Sequence, residues 1–472
     1  MTSYTSLPSL LSVLSQDMVI NRFILLNRYP KGYWVAFIVA LLLCWSPSKF
    51  AGYLAPWLAI GLYVLITRSR QVFQRLILVL GVWLMLLPLY SLLTPEFAFH
   101  SAALTLLTYG AWLFFFVVPT KHMANPRLLS RMLSLTRFVI LFQGTWGIGQ
   151  AVASFATRGT FDGSAGDVVA GTIRPFSITS DFSNPMFAVN MALLLLLSFP
   201  SLIKDRKGLL VLCIGLFSLI LASVLHVLLF LSVAIAAAFV LCFPSFFLKK
   251  RGIYLLIGAI VSGLIAFTLL GNNFATVRSF AQYTVDGKTT RAQVVTDVFA
   301  KMPQTYFWMP VIGLGPGQFT SRASLIGTGL YFGGPGNPRP IPLLPQGMSR
   351  PFREYILGPW LSLTTNGINN SSTSQPYFSW LSVYTEFGVI GFLLITAAVM
   401  RVLYKLQRLS RVTRPREKII TVSVSAAIIF LYILGIQENY WEVSQAIFVG
   451  LILLKMEYPN LVHAVRRNWV VS

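Results

Sequence analysis

Apolar stretches about as long as a bilayer is thick recur along almost the whole of this 472-residue chain. A helix needs about 20 apolar residues to cross a hydrocarbon layer roughly 30 Å thick, where every backbone polar group must be satisfied within the protein. Runs between polar breaks give twelve candidate spans, at about 33–49, 51–67, 74–93, 101–120, 132–155, 184–202, 208–225, 227–248, 252–270, 377–400, 419–435 and 442–456. The first pair is divided only by "SPSKF", and the pair at 208–248 requires a tight turn near His226. With 56% hydrophobic residues, 11% charged and a mean hydropathy of +0.71, no stretch of soluble-domain composition remains. The expected fold class is an all-α integral membrane protein, one polytopic domain over residues 1–472 with about 12 transmembrane helices.

The formal charge of +23 is a statement about topology before it is one about partners, and no nucleic-acid partner is expected. Of the 37 Lys and Arg residues, 26 fall on one side of the twelve spans, in every alternate loop, with the cluster from Arg401 to Lys418 the densest. Both termini are therefore expected on the cytoplasmic side. The first twenty residues lack the basic start and sustained apolar core of a signal peptide and suit a short interfacial helix. Cys44, Cys213 and Cys242 all lie inside apolar runs, without the spacing of a disulfide framework or a metal site.

This topology sends residues 271–376 to the exterior face, between the ninth and tenth spans. The segment is too rich in aromatic and aliphatic residues for disorder and should form an ordered cap, where Tyr306, Trp308 and Trp360 are candidates for stacking on sugar faces. Its glycine-rich "VIGLGPGQF", residues 311–319, has no Lys-Ser/Thr ending and no helix pattern after Phe319, so the glycines should supply a backbone turn rather than a nucleotide cradle. Basic residues are concentrated there: Arg278, Lys288, Arg291, Lys301, Arg322, Arg339, Arg350 and Arg353, with Arg174 in the loop before the sixth span. A concavity lined by arginines suits a phosphate or diphosphate, because a guanidinium grips two phosphate oxygens at once. The alternative for each is a solvated or headgroup-contacting side chain.

Within the spans Glu386 stands out, preceded at helical spacing by Gln375, Ser379 and Ser382, since a charge at membrane depth must be paired or wetted. It is a candidate base, or else a hydrogen-bonding partner of the irregular loop. His226 is a second candidate, while Glu438 and Glu442 read as interfacial, with Trp441 as an anchor. No acidic or His/Cys cluster has metal-ligand spacing, so no metal or cofactor is expected.

Three stretches together resemble the O-antigen ligase and O-antigen polymerase superfamily of membrane glycosyltransferases. "GTIRPFSITSDFSNPMFAVNMALLLL" carries an arginine and then an Asn-Pro pair (Arg174, Asn184, Pro185). "TTRAQVVTDVFAKMPQTYFWMPVIGLGPGQF" carries an arginine, a short amphipathic helix and a glycine turn (Arg291, Gly313, Gly315, Phe319). "SWLSVYTEFGVIGFLL" is similar to the family's Glu-x-Gly-x-x-Gly span (Glu386, Gly388, Gly391). The likeness covers the second half of the chain. It departs from the family where a His-Asn pair is usual, for Tyr377 and Phe378 stand there, and "SVLHVL" replaces a Ser-Arg pair.

The resemblance implies a GT-C-like architecture in a bacterial inner membrane, its large periplasmic loop between helices 9 and 10. It also implies metal-independent, inverting transfer of a glycan from a polyprenyl-pyrophosphate carrier to an acceptor hydroxyl. Polymerisation of lipid-linked repeat units is the expected activity; ligation to lipid A-core, or transport of the lipid-linked sugar, are the alternatives. Arg174 and Arg291 would neutralise the departing diphosphate, Arg278, Arg322, Arg350, Arg353 and Tyr377 would contact substrate, and Glu386 or His226 would take the acceptor proton. Partners implied are the lipid-linked oligosaccharide, membrane lipid and a chain-length regulator protein.

Overall fold

The computed structural model describes residues 30–120, 125–159, 168–176, 183–243, 282–333, 337–339, 341–342, 345, 347–363 and 375–471. The candidate span at 252–270 and the first twenty residues lie outside these. Among the described residues every regular element is helical. Among the described residues eight helices are long and apolar enough to cross a membrane, or nine if one bent pair counts as a single span.

The bundle begins with α1 (Pro30–Cys44), α2 (Lys49–Thr67) and α3 (Arg70–Leu93). The run expected as one span at 101–120 is broken into α4 (Phe99–Thr108) and α5 (Gly110–Val117), bent by 60°. There follow α6 (Pro126–Arg158), α7 (Ser183–Leu202), α8 (Arg206–Leu221) and α9 (Leu225–Cys242). The cap contributes α10 (Thr290–Ala300) and α11 (Arg322–Gly327) among shorter turns, and α12 (Ser379–Val412), α13 (Pro415–Leu434) and α14 (Ser444–Val471) complete the bundle. Side chains of Ser48, Ser69 and Asn125 accept the first free amides of α2, α3 and α6, from Ala51, Val72 and Leu128. Such caps replace partners that a helix start lacks.

Hydrophobicity all round α7 puts it at the centre. It is 83% buried, packed by α6, α8, α13 and α14, whereas α3 is only 6% buried and presents its apolar side chains to lipid. Chain direction divides the bundle into two ends. Gln150, Asn184, Leu434 and Ser444 lie toward the cap, and Pro126, Pro200, Glu417 and Glu457, on the same four helices, lie at the other end.

The cap has its own core, in which Val298, Met302, Tyr306, Phe319, Ile356 and Trp360 pack with Tyr377 and Leu381 from the start of α12. A second cluster, Ala323 and Ile326 of α11 against Tyr53 of α2 and Leu104 of α4, fastens the cap to the bundle.

Candidate functional site

The glycine-rich turn wraps the broken start of α12. Leu314 and Gly315 amides donate to the Thr385 and Glu386 carbonyls at 2.8 and 2.9 Å, and the Tyr90 and Thr94 hydroxyls donate to the Ile312 and Leu314 carbonyls at 2.8 and 2.6 Å. The fully buried Glu386 carboxyl then accepts three amides from the turn: Gly317 at 2.7 Å, Phe319 at 3.1 Å and Ser321 at 3.3 Å. Successive amides converging on one acid group form an anion-holding nest, here filled by the chain's own side chain. Both oxygens of Glu386 are thus committed to the turn.

The polar face expected on α12 is present and turned inward: Ser379, Ser382, Thr385 and Glu386 are all completely buried. Its partner is the turn between α13 and α14. Ser379 Oγ accepts from the Trp441 amide at 3.2 Å, Ser382 donates to Asn439 Oδ1 at 3.2 Å, and Asn439 Nδ2 donates to the Thr320 carbonyl at 2.8 Å. Glu438, Glu442 and Trp441, interfacial by their sequence, are buried here, at 7%, 0% and 4% exposed. The cap closes over them, and a closing tertiary contact leaves no periodic trace in sequence.

Around this turn the charges gather. Arg291, nearly buried, donates from Nε to the Gln375 carbonyl at 2.9 Å and from Nη2 to the Gln437 carbonyl at 2.7 Å, with its guanidinium 5.3 Å from the Phe378 ring. Burial pulls it down to about 10 against the opposing pull of Glu438 and Tyr440, so it stays charged at neutral pH. His226 Nε2 lies 2.7 Å from the Tyr440 hydroxyl, on the side of the cluster that feels Arg291.

Arg322 donates its amide to Glu442 Oε2 and stacks its guanidinium 5.1 Å from the Tyr331 ring, which Lys49 also approaches, at 5.6 Å. Burial lowers the guanidinium's proton affinity, but Tyr331, Tyr53, Glu438 and Glu442 together raise it above its ordinary value. Arg322 Nε and the Tyr377 hydroxyl are buried with no hydrogen-bond partner among the described residues. Glu442 Oε1 meets no partner in well-formed hydrogen-bond geometry among the described residues, but the Tyr109 hydroxyl lies against this carboxyl and favours its ionised form. Burial first, then Glu386, raises the Glu442 carboxyl to about 8, opposed by Arg322.

The remaining candidates lie apart from this cluster or outside the described residues. Arg350 and Arg353 are exposed and form ion pairs with Glu354 (2.7 Å) and Glu96. Arg174 closes a 3₁₀ turn, Gly171–Ile173, with its carbonyl accepting from Gln150 at 2.8 Å. That turn shares a neighbour with the cluster: Thr172 donates to the Trp45 carbonyl at 2.7 Å and Gln445 to the Ser46 carbonyl at 2.9 Å. Tyr306 and Trp360 are buried in the cap core, while Phe307 is 78% exposed beside Trp308. Arg278 lies outside the described residues. Among the described residues no three His, Cys, Asp or Glu side chains gather so as to hold a metal ion.

Sequence reasoning did not select Lys49, Tyr331 or Glu442 as site residues. The available signal was Lys49 itself, a basic residue on the side that receives few of them. Fold and site together define a polytopic helical membrane protein with a cap closed over a buried, mixed-charge cluster. No known protein family, curated protein or solved structure matches the chain.

Proposed function

We propose that this protein is a membrane glycosyltransferase that joins polyprenyl-pyrophosphate-linked oligosaccharide units into a surface polysaccharide. In this reading the eight spans, the bent pair, α1, α8 and the apolar run at 252–270 make twelve crossings, with the cap in the periplasm and both termini in the cytoplasm. The observation that carries the proposal is Arg322 at the seam between cap and bundle: its Nε is unpartnered among the described residues, its charge reaches the likewise unpartnered Tyr377 hydroxyl, it shares the Tyr331 ring with Lys49, and it acts together with Arg291 on Tyr440.

The acceptor hydroxyl oxygen attacks the anomeric carbon, and the bond from that carbon to the diphosphate oxygen breaks with its electron pair leaving on the diphosphate. Arg322 and Lys49, both half-buried, neutralise that charge. Arg291, tied to two carbonyls, fixes the wall behind them, and Arg174 flanks the donor from the neighbouring turn. The acceptor proton passes to Glu442 Oε1, the oxygen of this carboxylate that the Arg322 amide does not occupy, with the Tyr109 hydroxyl beside the group. Glu386 holds the turn on which Arg322 is carried.

Deleting the gene tests the reading. Loss of long-chain polysaccharide with accumulation of single lipid-linked units supports a polymerase; finished polymer left on its carrier would make the protein a ligase. Repeat units trapped on the cytoplasmic leaflet would replace the proposal with a flippase.

A further inference from the structure

At the end of the bundle opposite the cap, α6, α7, α13 and α14 part around a cavity of about 1100 Å³. It lies about 20 Å from the Arg322 cluster along α14, from Ser444 to Glu457 at 1.5 Å per residue. Pockets for small ligands run to roughly 300–1000 Å³, so this space exceeds a headgroup alone. One wall is aliphatic, with Leu129, Leu133, Ile203, Ile419 and Leu461. The polar lining carries both signs, Arg137 and Lys204 against Glu417 and Glu457.

Two of these groups are prepared for a ligand. Arg137 is held by Asp205 at 3.1 Å and by the Ser201 hydroxyl and carbonyl, which fixes its guanidinium at the rim. Glu457 is 5% exposed and lines the cavity, where the charge of Lys204 acts on its carboxyl without a hydrogen bond between them. A buried carboxylate without donors is costly, and a donor arriving with an occupant removes that cost. The cavity also lies where α6 begins and α7 ends, and the ends of membrane-spanning helices are where headgroups are met.

We infer that this cavity binds a phospholipid with a phosphoethanolamine headgroup, its ammonium donating to Glu457 and its phosphate facing Lys204 and Arg137. The acyl chains run over the Leu133 and Ile419 wall. An anionic headgroup would meet two carboxylates and leave Glu457 without a donor, and a trimethylammonium headgroup has no N–H to give.

Full-length protein in mild detergent, incubated with equimolar phosphatidylethanolamine, phosphatidylglycerol and phosphatidylcholine and then washed, is read by native mass spectrometry for retained lipid. Phosphatidylethanolamine should be retained roughly tenfold over the other two, the ratio expected for one charge-assisted hydrogen bond. Glu457→Gln should abolish the preference, and Ser134→Trp, placed at an exposed position on the rim, should reduce retention of all three. Equal retention by the unmodified protein, an unchanged preference in Glu457→Gln, or undiminished retention in Ser134→Trp would overturn the inference.

Discussion

Gly313 and Gly388 meet back to back where the cap crosses α12. A Cβ on Gly313 would lie 2.3 Å from the Glu386 carbonyl, and one on Gly388 2.1 Å from the Val311 carbonyl oxygen. Both have positive φ, 83° and 68°, so the crossing needs glycine twice over. Gly388 also interrupts α12, and the interruption exposes the Thr385 and Glu386 carbonyls to the amides of the turn.

Gly313→Ala or Gly388→Ala should therefore cost about 3 kcal/mol or more, from backbone strain and steric conflict that no rotamer relieves. Thermal unfolding in detergent measures it. Gly61→Ala, in open space on α2, is the control and should leave the midpoint unchanged or slightly raised.

Glu386→Gln keeps the shape of the side chain but turns an amide NH₂ toward backbone N–H groups. The expected loss is about 2 kcal/mol of stability, the cost of unsatisfied buried donors. A variant with an unchanged unfolding midpoint and no activity would instead assign Glu386 to the chemistry.

Arg322→Gln should lower transfer by roughly 10²-fold in a reconstituted assay with a lipid-diphosphate donor, the cost of losing one charge-stabilising donor. Arg322→Lys should recover little, because the ring stacking and planar fork are lost with the guanidinium. Full activity in either variant would remove Arg322 from the site.

Glu442 accepts a proton only when ionised. With its carboxyl raised to about 8, the ionised fraction grows as pH rises, so initial transfer rates should climb from about pH 6, reach half their maximum near pH 8 and level off above about pH 9. Two units below the midpoint the ionised fraction is roughly 1%. Glu442→Gln should give a low, flat profile; a flat profile in the unmodified protein would exclude the assignment.

Arg350→Ala removes only an exposed ion pair with Glu354, a kind of contact that contributes little in water. Both unfolding midpoint and product yield should stay unchanged, in contrast to Arg322→Gln in the same loop.

Sequence carried the helices well, since a run of twenty apolar residues has few alternatives and Ser48, Ser69 and Asn125 mark starts locally. It carried the inward polar face of α12 too, because Ser379, Ser382 and Glu386 repeat at helical spacing. Other features depended on contacts between distant segments. The break between α4 and α5 shows only as "TYG" within an apolar run, and nothing adjacent to Glu438 or Glu442 indicates that the cap will cover them. Arg322 and Arg350 look alike in sequence; their different fates follow from α11 packing on α4 while Arg350 faces outward beside Glu354.

The 60° elbow between α4 and α5 joins two kinds of neighbour. Its first arm packs against α11 of the cap and its second against α14 of the bundle. Tyr109, at the apex, sits beside Glu442. Tilting the cap would swing the first arm about an anchored second one, so if the proposed glycosyl transfer holds, admission of a bulky lipid-borne sugar would be mechanically registered at the Glu442 carboxyl.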